Sequence, residues 1–393
     1  MSTSLKAHST ILKTVRQANP KEDIRRQRVF AWAVTALLIS GSPLLSLWLT
    51  VITGPAKATS KLRRLCRWLD NPLVDVGAYY RPFIQAALAV WAGQHILLII
   101  DGTSPNGGPV VCRVAVCFRG RAFPLCWRTF DSKSHSISYA RYIAVLEEAR
   151  ALLPAGCTVT LLGDRGFGHR KLMAWCRKAG WHYLLRLKAS STVILPDGSR
   201  RRLDGWHPAP QSVEHLADVH LLGEGGQRIG PLHVHIVLAP EPADEAWYLA
   251  ADDPHSYAAL ANYRCRMNVE HSFRDDKSGG WNWEDSPLTA PGQSDRLCLI
   301  MAVATLYTLT EGTFVADRGQ RQELDPHDER GLSYFQIGLR SFKRLLSQGR
   351  RLRLRLSLDP RPDPEPVSPY GIPFRLFRSF TWIPNPKSIP AGC

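Results

Sequence analysis

The stretch NYRCRMNVEHSFRDDK, from Asn262 to Lys277, carries seven charged residues, three of them acids. Read as one helix, about 100° of rotation per residue puts Tyr263, Arg266, Glu270 and Lys277 inside an arc of roughly 60°. One face would then present a phenol, a guanidinium, a carboxylate and an ammonium. A charge run of this kind is ordinarily a solvated, salt-bridged helix face. It can also be a place where cations hold a phosphate and a carboxylate helps to work on it. Other parts of the chain decide between the two.

Two further acids stand in a telling context. HILLIID ends in Asp101 and TVTLLGD ends in Asp164. Each is a continuous apolar run of strand length, as a strand buried on both faces requires, and a turn follows each acid. Alone, either acid reads as a turn cap. If the strands are parallel neighbours, both acids lie at the carboxyl edge of one sheet, where open α/β sheets carry their ligands and catalytic groups. With Glu270 on a helix beside them, three hard oxygen donors suit Mg²⁺ or Mn²⁺. Two such ions about 4 Å apart can activate a water and stabilise the leaving oxygen of an in-line phosphodiester displacement. Arg266 and Lys277 then have a task, because phosphoryl transfer asks mainly for positioning and charge neutralisation.

The elements that must position these groups follow from pattern. Residues 1–90 read as a helical N-terminal domain. Residues 91–188 read as the first part of an α/β core: three strands, helix, strand, helix and strand, with Gly180 closing the second helix. Residues 189–254, with LPDGSRR and GEGGQR, read as an all-β insertion. Residues 255–315 return to the core with the catalytic helix, 316–358 form a basic helical region, and the tail 359–393 is proline-rich, an extended linker or a disordered segment.

Composition sets the partner class. The 393 residues carry a formal charge of +16, gathered in blocks at Lys6–Arg28, Lys61–Arg67 and Leu339–Arg355, the last without an acid. Scattered surface lysines do not explain such blocks; a nucleic-acid partner does. Nine cysteines with no Cys-x-x-Cys pair argue against structural zinc and a disulfide framework, and fit a reducing cytoplasm. His233 and His235 in PLHVHIVLA read as strand alternation rather than as metal ligands. Val29–Ile52 is uncharged and long enough to span a bilayer. SGSP interrupts it, and Ser42 can cap a helix beginning at Pro43, so two short buried helices are expected and no membrane. The first 28 residues lack the apolar core of a signal peptide.

The order of elements resembles the ribonuclease H-like fold. Tyr263-x-x-Arg266-x-x-x-Glu270-x6-Lys277 is similar to the Y-(2)-R-(3)-E-(6)-K signature of bacterial insertion-sequence transposases of the DDE type, with the same spacing. DGT at Asp101 and GDRGF at Asp164 resemble that group's first two acid motifs, and SKLRRLCRWLDN its basic N-terminal helix. The resemblance spans roughly residues 55–350. It implies a metal-dependent cut-and-paste transposase in the bacterial cytoplasm, associated with the nucleoid. Asp101, Asp164 and Glu270 would hold two Mg²⁺ ions (Mn²⁺ substituting). Tyr263 and Arg266 would grip a phosphate near the cleaved end, and Lys277 another backbone position. Arg63, Arg64 and Arg67 would contact DNA, and Trp247 is a candidate for stacking on a flipped base, against the alternative of a strand-core tryptophan. The partners implied are duplex DNA, as terminal inverted repeats and target, and a second copy of the chain in a synaptic homodimer. A catalytically silent DNA-binding derivative and a structure-specific nuclease of the same fold are the alternatives. All three acids are present, and the Tyr-Arg-Glu-Lys pattern speaks against the nuclease.

Overall fold

A computed structural model describes residues 2–132, 137–206, 212–223, 226–237, 246–366 and 379–382. Five helices come first: α1 (Thr3–Ala18), α2 (Ile24–Ser40), α3 (Leu45–Trp48), α4 (Ala58–Asp70) and α5 (Val76–Ala87). The core begins with β1 (His95–Thr103), β2 (Val110–Phe118), β3 (Arg121–Phe130), α6 (Tyr139–Leu152), β4 (Thr158–Gly163), α7 (Arg170–Ala179) and β5 (His182–Arg186). A β-rich stretch holds β6 (Thr192–Ile194), β7 (Arg200–Arg202), β8 (Ser212–Leu222), β9 (Arg228–Val237) and β10 (Trp247–Ala251). Then come α8 (Ser256–Arg264), α9 (Met267–Arg274), α10 (Pro291–Asp317), α11 (Tyr334–Ser347) and β11 (Ser379–Trp382). The fold is mixed α/β with a ribonuclease H-like core, as the order of elements implies.

The chain forms two compact units. The first comprises residues 1–94, 102–157 and 268–367. Its centre is α10, 27 residues long and buried along nearly its whole length. By length and composition α10 could cross a membrane, but 94% of its most apolar window is buried inside the protein, which is what a core helix shows. Thr308, Thr310 and Thr313 avoid a buried-hydroxyl penalty by donating to carbonyls one turn back. Helix α11 crosses α10 at two glycines. A Cβ on Gly312 would lie 1.7 Å from the Tyr334 carbonyl, and one on Gly338 would lie 1.9 Å from that of Thr308. Only glycine permits that approach. Strands β2 and β3 form an antiparallel hairpin in the same unit.

The uncharged run Val29–Ile52 divides differently from expectation. Most of it belongs to α2, whose buried face includes Phe30, Val34, Leu37 and Leu38. Gly41 ends α2 in a left-handed conformation, φ 66°. The second helix is the single turn α3, capped by Leu44 and not by Ser42. Ser42 Oγ instead accepts the Leu44 N–H at 3.3 Å. Pro43 therefore precedes the helix, and the indole of Trp48 ties the turn down by donating to the Ser42 carbonyl at 2.6 Å.

The second unit comprises residues 95–101, 158–267 and 368–393. β1 and β4 run parallel, from His95 opposite Thr158 to Ile100 opposite Gly163. β4 and β5 are parallel too, from Thr160 opposite His182 to Gly163 opposite Leu185. Antiparallel pairing continues through β10, β9, β8, β6 and β7. Gly180 caps α7 at φ 71°, where the sequence places a helix stop. In the proline-rich tail, Ser379–Trp382 pairs in parallel with β8, a strand that the composition of the tail does not announce. The remainder of the tail beyond residue 366 lies outside the described residues.

Candidate active site

In the second unit the two acids come together by register, but Asp101 lies inside β1, which runs on to Thr103, and only Asp164 follows the end of its strand, β4. Ile100 is opposite Gly163, so Asp101 and Asp164 occupy the next position on adjacent parallel strands. The loop after β4 is shaped by its glycines. Asp164 Oδ1 accepts the Gly166 N–H at 2.8 Å, closing a turn. A Cβ on Gly168 would lie 2.2 Å from the Arg186 carbonyl, so the loop can pass the end of β5 only with glycine there. This is the physical content of GDRGFG: an acid held at a sheet edge by a turn that no larger residue fits.

Arg266 reaches Asp101, with its Nη1 3.3 Å from Oδ2. Tyr263 is buried, and its hydroxyl makes no hydrogen bond among the described residues. Burial pushes its pKa up to about 12; Asp164 and Asp101 add to that push, while Arg266 and Arg186 oppose it. At neutral pH the phenol therefore keeps its proton and can donate. Its ring meets that of Trp247 edge to face, centroids 5.4 Å apart. Trp247 opens β10 and is half-buried, so it is neither a fully enclosed core residue nor an exposed platform.

The single helix assumed for Tyr263–Lys277 does not form. α8 ends at Arg264, Cys265 and Arg266 make a tight turn, and α9 begins at Met267. In the turn the N–H groups of Cys265 and Arg266 donate three residues back, to Asn262 at 3.0 Å and Tyr263 at 2.9 Å. Beyond α9, residues Asp275–Gly279 widen into a π-helical turn that carries Lys277. A uniform 100° stripe is thus the wrong geometry over fifteen residues, although Tyr263 and Arg266 remain one turn apart.

In the first unit, Glu270 is exposed on α9. It lines an open depression together with Thr103, Arg274, Lys277 and Glu284. The wide turn after α9 is pinned by two buried acids. Arg121 Nε lies 2.6 Å from Asp275 Oδ2, and Arg113 Nη1 lies 2.6 Å from Asp276 Oδ2. Arg113 also lies over the Phe273 ring, 5.0 Å from its centroid. Ser272 Oγ accepts the Ala122 N–H at 2.7 Å, tying α9 to β3. A π-turn costs hydrogen-bond geometry, and such turns recur at functional sites. The two arginines are sequence-distant from it, and sequence reasoning missed both. Arg113 gave a signal, a lone cation inside the apolar run VVCRVAVCF. Arg186, close enough to Tyr263 to oppose its shift, was missed as well.

Arg63, Arg64 and Arg67 are exposed on α4, whose opposite face buries Leu65, Trp68 and Leu69. Cys66, Cys126, Cys157, Cys176 and Cys298 form no disulfide among the described residues. His233 and His235 alternate along β9, and His215 of β8 joins them: His215 Nε2 is 3.2 Å from His233 Nδ1, and its ring stacks on His235 at 4.8 Å. Among the described residues, no group of three or more His, Cys, Asp or Glu stands close enough to hold a metal ion. What the second unit offers is a pair of carboxylates in register. Such a pair matches how Mg²⁺ is bound, through one or two carboxylates with water and substrate phosphate completing the sphere. Arg266 on Asp101 does not block this, since a 3.3 Å contact is at the weak end of hydrogen-bond geometry.

A family model described as Transposase DDE domain matches residues 94–309, more than half of the 393-residue chain. No curated protein matches in sequence. Among solved structures, a cryo-EM piggyBac transposase synaptic complex with hairpin DNA superposes with a TM-score of 0.43 at 12% identity. The match covers 87% of this chain and 79% of that one. That likeness is too loose to bear on fold or partner.

Proposed function

The chain belongs to the transposase DDE-domain family, and from that premise we propose that it carries out metal-dependent cut-and-paste transposition of DNA in the bacterial cytoplasm. The observation that carries the reading is the register of Asp101 and Asp164 on β1 and β4, with Arg266 on Asp101. On the sequence signature rather than on distance, we propose Asp101, Asp164 and Glu270 as the acids for two Mg²⁺ ions, or Mn²⁺. When bound, these ions supply positive charge against the phosphate undergoing displacement.

The chain's own residues do the rest. Arg266 gives a phosphate a charge-assisted, planar donor pair. Tyr263 donates its retained proton to a phosphate oxygen, which would satisfy the one polar atom it now buries without a partner. Lys277 supplies a point charge to a neighbouring backbone phosphate. Arg63, Arg64 and Arg67 neutralise duplex phosphates and give the binding its salt dependence. In cleavage, a water oxygen attacks phosphorus in line and the 3′ oxygen leaves. In strand transfer, that 3′ hydroxyl becomes the attacking group on target DNA. Two ends must be held together, so the working species is a homodimer on paired terminal inverted repeats, each active site serving the end bound by the other subunit.

The test uses the DNA that flanks the gene, placed on either side of a marker. With Mg²⁺ the wild type should excise the marker, and Glu270→Gln should bind the ends without cutting. Excision by Glu270→Gln at the wild-type rate would make Glu270 part of a solvated helix face and end this reading.

A further inference from the structure

A second concave feature lies away from Asp101 and Asp164. It is a groove of about 690 Å³ in the first unit, bounded by α2, the loop 52–56 and α4. We propose that this groove seats one or two unpaired nucleotides of a DNA strand. Its ligand class rests on the transposase reading; its shape and chemistry stand by themselves.

The rim is cationic. Arg25 and Arg28 come from α2, Arg64 and Arg67 from α4, all four exposed. None of the four has an ion-pair partner among the described residues, unlike Arg26, which is bridged to Glu22 at 2.8 Å. Four exposed guanidinium groups around one concavity raise its positive potential and favour an anionic ligand. Lys61, also on the rim, is already spent on the chain, donating to the Ile52 carbonyl at 2.7 Å.

The floor is aromatic. Trp32 is half-buried and stacks on His8, centroids 4.2 Å apart. Trp68 is buried, and its indole N–H makes no hydrogen bond among the described residues. Trp68 is enclosed and stacked on Phe30, so Trp32 is the ring left for a base. Cations for phosphates with a ring for a base are what binds single strands. Arginine adds a flat face on which a base can stack.

Size separates this occupant from duplex DNA. The volume falls in the range of about 300–1,000 Å³ that encloses small organic ligands. A duplex, with a major groove alone about 12 Å wide, lies across such a feature and leaves its floor empty. An unpaired end or an extruded nucleotide enters it. Arg64 and Arg67 belong to the α4 surface proposed for the duplex, whereas Arg25 and Arg28 reach the groove from α2.

The full-length protein in EDTA, where no cutting occurs, is titrated into fluorescently labelled hexathymidylate and, separately, into blunt duplex carrying the transposon end. The single strand should bind, and Arg25→Glu with Arg28→Glu should weaken it by about tenfold or more through lost phosphate contacts. End-duplex binding should weaken by a clearly smaller factor, because Arg64 and Arg67 remain and the four-unit charge change beside them acts on the duplex only through space. Both residues are exposed near the start of α2, where acids suit the helix dipole, so the fold should survive. A 5-iodouracil photocrosslink from the strand should map to Trp32. Equal weakening of strand and duplex would overturn the proposal by making the groove ordinary duplex surface. Competition by polyglutamate as effective as by the strand, or no binding of the strand, would overturn it too. Excision in Mg²⁺ is scored separately. A protein that excises but ignores the strand sinks this inference alone, and one that binds the strand but never excises sinks the transposase reading alone.

Discussion

Arg266 with Asp101 and Arg113 with Asp276 are the same chemical pair in two settings. The first sits near the end of β1, with side chains 12% and 14% exposed and a 3.3 Å contact. The second lies between β2 and the turn after α9, 3% and 6% exposed, at 2.6 Å. A short, dry contact has given up its hydration and can be kept only by keeping both partners. A longer, wetter one leaves each partner able to exchange the other for something else. For Asp101 the exchange would be with a cation, and for Arg266 with a phosphate. The difference separates a pair poised for chemistry from a pair that holds the backbone in place, and it can be broken or sharpened at four levels.

The largest effect belongs to the poised acids. Asp101→Asn and Asp164→Asn should each lower end cleavage by several orders of magnitude while leaving end binding intact. The double variant should be no worse than either single one, because groups that act as a unit lose their function together. A gel-based cleavage assay that finds multiplicative losses would separate their roles and weaken the idea of a shared site.

Next is the structural pair. Arg113→Met leaves Asp276 buried and unpaired, which should cost about 3–5 kcal/mol in denaturant unfolding. Adding Asp276→Leu should recover most of it, since a packed apolar pair often equals a buried ion pair. If Arg113→Met alone is harmless, the wide turn carrying Lys277 is not held by this contact.

A smaller effect should appear with pH, and here buried histidines and buried acids oppose each other. Burial, helped by neighbouring imidazoles, holds His215 and His235 down to about 4. Unfolded, they take up protons near 6.5, so their contribution is complete above that pH and is lost as pH falls towards 4. Asp218 and Asp253 work against the shift without reversing it. Asp275 has the opposite sign. Burial pushes it up to about 6 despite Arg121 beside it, so its neutral form is favoured and stability declines as pH rises from about 4 through 6. Burial also holds down His8, His95, His233 and His271 and pushes up Asp276 and Asp295, so the histidines outnumber the acids and the thermal midpoint should fall on acidification from 6.5 to 4.5. Asp275→Asn should steepen that fall and His215→Gln should flatten it. A midpoint that rises on acidification would reverse the assignment.

These contrasts also mark what the sequence could reveal. β1 and β4 were legible because a parallel strand buried on both faces has to be apolar throughout, and Asp101 and Asp164 stand out where each run stops. Glu270 and Lys277 were legible as residue types at a spacing. The backbone between Tyr263 and Lys277 was not, because a tight turn at Cys265–Arg266 and a π-turn at Asp275–Gly279 break the helical period. What fixes the second of these is Arg113 and Arg121, more than 150 positions away in the chain. No local pattern contains such a partner. Only the odd arginine in VVCRVAVCF hinted at it. The α2–α3 region teaches the same lesson, since Ser42 and Pro43 look like a helix start until Trp48 is seen to bond back to Ser42.

The smallest expected change is also the sharpest test of the comparison. Arg266→Gln removes the cation from Asp101 but leaves that carboxylate partly hydrated at the sheet edge. With side chains 12% and 14% exposed the pair is wetter and longer than Arg113–Asp276, so unfolding should shift by less than the loss of about 3–5 kcal/mol expected there. The matching change at Arg113 should cost more, although both remove one guanidinium from one aspartate. End cleavage by Arg266→Gln should nevertheless fall, and the end complex should loosen, because a planar charge-assisted donor to phosphate is gone. Lysine should not restore it fully, since a point charge lacks the fork that engages two oxygens at once. If Arg266→Gln unfolds the protein as readily as Arg113→Met does, then the pair near the end of β1 is structural as well, and the distinction between poised and pinned pairs collapses.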